Sequence, residues 1–120
     1  MRIGAAVAGP EQRVVPLPDG DELVILDTES GAEQRVANPA HSAEKQRRLV
    51  AAEEFIQRRV EAVVSVPLTF CPTSHARAKQ AGIRFISVPA GTTWDQVKAR
   101  SARYAAGAQE SLPEDELFHH

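Results

Sequence analysis

The stretch from Glu61 to Pro89 constrains the fold more than any other part of the chain. An apolar run, AVVSV, enters a loop, PLTFCP; helix-like SHARAKQA follows, then Gly82 and a second apolar run, IRFISVP. Strand, loop, helix, strand is the unit that builds a parallel sheet, because parallel neighbours cannot be joined by a tight turn. In such sheets ligands collect in the loops beyond the carboxyl ends of the strands. Cys71, the single cysteine, falls in one of those loops.

Around this unit the rest of the chain reads as one α/β domain over residues 1–106. Ile3, Ala5 and Val7 alternate and predict a first strand over 2–8. Residues 9–21, GPEQRVVPLPDGD, hold three prolines and two glycines and read as a long irregular loop. ELVILD (22–27) and the following SGAEQRVA pair as a hairpin turning at Glu29, Ser30 and Gly31. Ser42 is placed to cap a helix running through Val60, with Leu49, Ala52, Ile56 and Val60, joined by Phe55, as its apolar stripe. Pro72 suits the first turn of the next helix and Gly82 its C-terminal cap. Thr92, with Asp95 three residues on, opens a last helix that turns Trp94, Val97 and Tyr104 inward. From Gly107 to the end the chain is polar and reads as a flexible tail over 107–120. The order β-β-β-α-β-α-β-α implies a mixed five-stranded sheet with flanking helices.

Composition excludes several classes. No apolar run approaches the roughly 20 residues needed to span a bilayer, and a net charge of −2 argues against a nucleic-acid binder. Lys45, Arg47 and Arg48 are interleaved with Glu44, Glu53 and Glu54 and read as a solvated helix face in preference to a phosphate-binding surface. One cysteine cannot form an intrachain disulfide, so a reducing cytoplasm is expected. The first strand carries no carboxylate for a two-metal nuclease site, and no G-x-S-x-G elbow supports a serine hydrolase.

The residues that can carry chemistry surround the thiol. At a helix N-terminus, unpaired N–H groups and the helix dipole favour an anion, and such placement makes a thiol a better ligand or nucleophile. Cys71 therefore reads either as a metal or redox ligand or as a small half-buried apolar residue. His75, four residues on, lies about one turn away, and a Cys-x-x-x-His pair supplies two ligands to a soft metal or a metal–sulfur cluster. Two ligands do not close a tetrahedral site, so sulfide, a second subunit or His41 would complete it. Thr69, Thr73 and Ser74 are candidates to bind an oxyanion such as molybdate or phosphate, or alternatively to cap the helix. Which of Cys71, Thr73 and Ser74 is the cap stays open. His119 and His120 read as tail residues.

MRIGAAVAG, ELVILD, VAAEEFIQRRVEAVVSV and above all AKQAGIRFISVPAGTTWDQV, in this order and spacing, resemble the dinitrogenase iron–molybdenum cofactor biosynthesis family, which includes the NifX- and NafY-type proteins. The resemblance covers about residues 1–105. It implies a ribonuclease H-like fold and a non-enzymatic carrier of an iron–sulfur or molybdenum/iron–sulfur cluster or its precursor. It also implies a cofactor-assembly or target metalloprotein as partner, and a monomer or homodimer. Many members carry His-Phe-Gly before the second strand, where this chain reads PLPDGDE, and Gly-Pro at the start of the second helix, where this chain has Cys71-Pro72. The resemblance therefore directs attention to the loop Pro67–Ser74, with Cys71 as ligand and His75 as helper, and the loop Gly9–Asp21 as the opposite wall. A module of the same fold that has lost its cluster site, or one with a redox-sensing thiol, is the alternative.

Overall fold

Alternation along the first strand decides how the layers stack. In β1 (Arg2–Ala8), Ile3, Ala5 and Val7 enter one apolar core while Ala6 enters another. The same division recurs in β3 (Glu22–Asp27), which sends Leu23 and Ile25 one way and Val24 and Leu26 the other. A strand whose two faces are both buried must lie between two helical layers, and its sequence then reads as an unbroken apolar run. In the computed structural model, which describes residues 1–119, the chain is a three-layer mixed α/β fold.

The sheet has six strands in the order β4-β3-β1-β5-β6, with β2 pairing β1 beyond its main partners. β2 (Arg13–Val14), β3 and β4 (Glu33–Ala37) form the antiparallel part, while β5 (Ala62–Ser65) and β6 (Arg84–Ser87) run parallel to β1. The parallel β5–β6 unit and the β3–β4 hairpin stand where the sequence placed them. The strand count is six instead of five because the loop 9–21 is not irregular throughout. Val14 returns to pair with Val7, and Leu17 and Pro18 are buried in a 3-10 turn over Leu17–Asp19. The buried Asn38 amide pins this turn by donating to the carbonyls of Leu17 and Gly20 at 2.7 and 2.9 Å.

α1 (Arg47–Gln57) and α2 (Pro72–Gln80) cover one face; α3 (Trp94–Ala99) and α4 (Ser101–Ala106) cover the other. Three expected boundaries move. Ser42 does not open α1: a 3-10 turn over Pro39–Ser42, capped by Asn38, takes its place, and the cap of α1 falls four residues later, at Gln46 in the left-handed region at φ 52°. The stripe of α1 shifts accordingly to Ala51, Ala52 and Phe55, leaving Leu49 and Ile56 half-buried. The final helix is capped by Thr93 with Gln96, not by Thr92 with Asp95, and it breaks in two at Arg100. Trp94 and Val97 are fully buried as expected, whereas Tyr104 is half-buried.

The polar C-terminal segment packs back against the sheet and the α1–α2 layer. Gln109 exchanges two backbone hydrogen bonds with Phe85 on the β6 edge, at 2.7 and 2.8 Å, and Leu112 and Leu117 plug the core on the α1–α2 side. The reading of His120 lies outside the described residues.

Candidate functional site

Both crossovers of the parallel unit open at the same end of the sheet, and a cleft of about 530 Å³ lies there between the N-terminal ends of α1 and α2. Cys71 and Thr73 come from the start of α2; Gln46, Arg47, Arg48 and Leu49 from the start of α1; Glu44 precedes them, and Pro18 and Asp19 form the opposite wall. Arg77 of α2 and Glu53 of α1 are ion-paired across the two helices.

Cys71 is the N-cap of α2, which settles the open choice among three candidates. Its thiol accepts from the Ser74 N–H at 3.5 Å, and the Ser74 hydroxyl accepts from the Cys71 N–H at 3.0 Å, a reciprocal capping box. The residue is 5% exposed yet reaches the cleft wall. Thr73 is exposed and lines the cleft. Ser74 is fully buried and committed to the cap, and Thr69, also buried, donates its hydroxyl to the Val66 carbonyl at 2.7 Å. Neither is among the cleft residues, so of the three hydroxyls only Thr73 is placed to meet a ligand.

His75 does not face the cleft as a ready ligand. It is 8% exposed, its ring packs beside Phe85 at 4.7 Å between centroids, and its Nε2 accepts from the Leu112 N–H at 3.0 Å. Accepting at Nε2 requires the neutral ring with its proton on Nδ1. Burial, aided by Lys79 and opposed by Glu114, holds its pKa below the ordinary histidine value. His41 is exposed in the 3-10 turn after Asn38 and is not among the cleft residues. Among the described residues no three His, Cys, Asp or Glu side chains converge to hold a metal ion. Cys71, His75 and His41 therefore do not form one coordination sphere, and a metal at this site would have to bring most of its own ligands.

What the sequence reading set aside as a solvated helix face is the pair of arginines. Arg47 donates through Nε and Nη2 to the carbonyls of Ala40 and Pro18, and Arg48 through the same atoms to the Leu68 carbonyl at 3.2 and 2.9 Å. Both guanidinium groups are thus held by fixed backbone, with Nη1 of each making no hydrogen bond among the described residues. Burial lowers the Arg48 pKa, while Cys71 and Asp19 act on it in the opposite sense. No side chain caps α1, so its first N–H groups also open toward this end. Two cations, two helix N-termini, a thiol and a hydroxyl suit a compact anion; Asp19 and Glu44 offset the cations and bring the cleft's own charge near neutrality.

No protein-family model matches the sequence, and no curated protein does. Solved structures similar in fold include the following two. The orange protein from Desulfovibrio gigas, solved in its apo form, superposes with a TM-score of 0.72 at 18% identity, over 89% of this chain and 89% of that one. A NifB-like protein from Thermotoga superposes with a TM-score of 0.64 at 21% identity, over 84% of this chain and 87% of that one. At these identities the likeness is one of fold, and it runs through nearly the whole length of each chain.

Proposed function

We propose that this chain is a non-enzymatic binding protein that holds, and passes on, an anionic metal–sulfur cluster or its precursor in the cleft between α1 and α2. The observation that carries the reading is the convergence of the Cys71 thiol with two arginines whose Nη1 groups are left over after backbone carbonyls have fixed the rest of each side chain. Guanidinium groups held in advance lose little further freedom on meeting an anion. Cys71 would anchor a metal through its thiolate, and Arg47, Arg48 and Thr73 would meet the sulfide or oxo edges. With no three-ligand group among the described residues, the cluster would arrive largely assembled and be held more by charge than by coordination.

The fold supports this reading from outside the cleft. One similar structure is of an apo form, and the other is NifB-like. The resemblance to the iron–molybdenum cofactor biosynthesis family, with its ribonuclease H-like fold, points the same way. A cytoplasmic role beside a cofactor-assembly protein or a target metalloprotein follows. The test is anaerobic reconstitution with iron, sulfide and molybdate. A visible absorption band is expected in the wild type, weakened in Cys71→Ala and in Arg47→Gln/Arg48→Gln. A wild type that stays colourless sinks the proposal.

A second reading rests on His75. Its ring nitrogen is spent on the Leu112 amide, which suits a module of the same fold that has given up its cluster site and acts through protein contacts. A colourless reconstitution would favour it.

A further inference from the structure

The C-terminal segment, residues 107–118, is tied down at points that lead to the cleft. The Leu112 N–H donates to His75 Nε2 at 3.0 Å. The Glu116 carbonyl accepts from the Leu68 N–H at 2.8 Å, and the Phe118 N–H donates to the Phe70 carbonyl at 2.8 Å. The last two bonds land on the loop that ends at Cys71. Arg48 meets both partners: its guanidinium carbon lies 4.1 Å from the centroid of the Phe118 ring, and its Nε and Nη2 donate to the Leu68 carbonyl. The Leu68 peptide is therefore gripped from one side by the C-terminal strap and from the other by a cleft arginine. Leu68 sits at φ 71° and the residue is 44% exposed. A leucine holds that left-handed conformation only when its neighbours impose it.

We propose that the strap belongs to the binding site: Phe118 is a positioning residue for Arg48, and strap docking and occupancy of the cleft by an anionic group favour each other. An arginine stacked on an aromatic ring and bonded to a carbonyl has already given up most of its rotamers. A bound anion needs Arg48 where the strap holds it. By linkage, the anion must then hold the strap by the same factor. The second half of this inference rests on the cleft being the anion site; the first half does not.

Hydrogen exchange read by mass spectrometry on the full chain separates the two. In the ligand-free protein, Arg48→Ala should speed exchange in peptides covering 109–118 and Leu68 about two- to fivefold, as expected for loss of a cation–aromatic contact, while β1 peptides keep their rates. Phe118→Ala should act alike at Leu68 and Leu112, and Phe118→Tyr should restore both. Strap peptides that exchange at wild-type rates in Arg48→Ala and in Phe118→Ala overturn the inference. After reconstitution with iron, sulfide and molybdate, wild-type strap peptides should slow, and Phe118→Ala should take up the absorbing species with lower affinity while its β1 peptides keep wild-type exchange rates. A wild type that gains the band with strap rates unchanged overturns the coupling and leaves the carrier reading standing. A wild type that gains no band removes the carrier reading, and the ligand-free comparison still decides whether Phe118 positions Arg48.

Discussion

Cys71 and Ser74 bond each other reciprocally: each backbone N–H donates to the other's side chain, and Sγ and Oγ lie 3.2 Å apart. The thiol thus has a structural duty that any ligand role must coexist with, and the two can be separated by substitution. Cys71→Ser keeps an acceptor at the cap and should change stability by less than about 1 kcal/mol, whereas Cys71→Ala loses the cap and should cost about 1 kcal/mol. Both remove the thiolate, so both should weaken the absorption band equally. Urea unfolding and the reconstituted spectrum, measured on the same two variants, check this. A band retained in Cys71→Ser but lost in Cys71→Ala would show that the cap matters and the thiolate does not.

The arginines and the carboxylates of the cleft should act with opposite signs. Replacing Arg47 or Arg48 by Gln removes a charged donor, which typically contributes about 1.5–3 kcal/mol to a hydrogen bond, and so should weaken anion binding by tenfold or more. Asp19→Asn removes a negative charge that acts on Arg48 and should tighten binding. Each effect should shrink as salt is raised. Titration calorimetry with molybdate at two ionic strengths reads both signs. Weaker binding in Asp19→Asn would mean that the carboxylate contacts the ligand directly.

The layers were legible because they are written in period two. Ile3, Ala5 and Val7 face one core and Ala6 the other, and nothing in the tertiary structure overrides that alternation. The site was legible on its α2 side and on the wall supplied by Pro18 and Asp19, and it was hidden at the start of α1. Ser42 is a good cap by type, and taking it as one placed Arg47 and Arg48 in mid-helix, where a mixture of charges is unremarkable. With α1 starting at Arg47, both lie in its first turn, where positive charge is opposed by the helix dipole. That local misfit was the available signal, and a boundary error of four residues hid it. The strap was hidden by its composition. Ala108, Leu112 and Leu117 are three small plugs in an otherwise polar segment, without helical or strand periodicity. At the last helix, adjacent threonines left the cap ambiguous, and Gln96, able to reach back to the Thr93 N–H, decided it.

Gly4 tests the packing of α1 on the sheet. A Cβ built at this position would stand 2.7 Å from the Phe55 ring, and Phe55 is fully buried. Gly4→Ala should therefore cost about 1–3 kcal/mol by overpacking, read as a lower urea midpoint. Pairing it with Phe55→Leu should recover part of the loss, since residues in contact do not act additively. Additive losses in the double variant would place the strain elsewhere.

His75 sets the acid limit of the strap. Its ring is enclosed by Phe70 and Phe85; Lys79 on its own helix disfavours the charged form, and Glu114 on the strap favours it. Burial is the largest influence, and the folded pKa lies below the ordinary value of about 6.5 that the unfolded chain would show. The sign follows. Above the unfolded pKa the ring is neutral in both states, Nε2 accepts from Leu112, and the contribution is fully present. As pH falls from there through the folded pKa, the unfolded chain binds the proton first and stability declines. Protonation also turns Nε2 from acceptor to donor, against the Leu112 N–H. Asp27 and Glu33, whose pKa values are lowered in the folded chain, lose their contributions only at more acidic pH, so the window between pH 8 and 5 isolates the histidine. In His75→Gln the amide oxygen can accept from Leu112 without titrating. The wild-type urea midpoint should therefore fall across this window, and the difference from His75→Gln should grow steadily toward the acid end. Equal slopes in the two proteins would mean that the Leu112–His75 bond does not hold the strap.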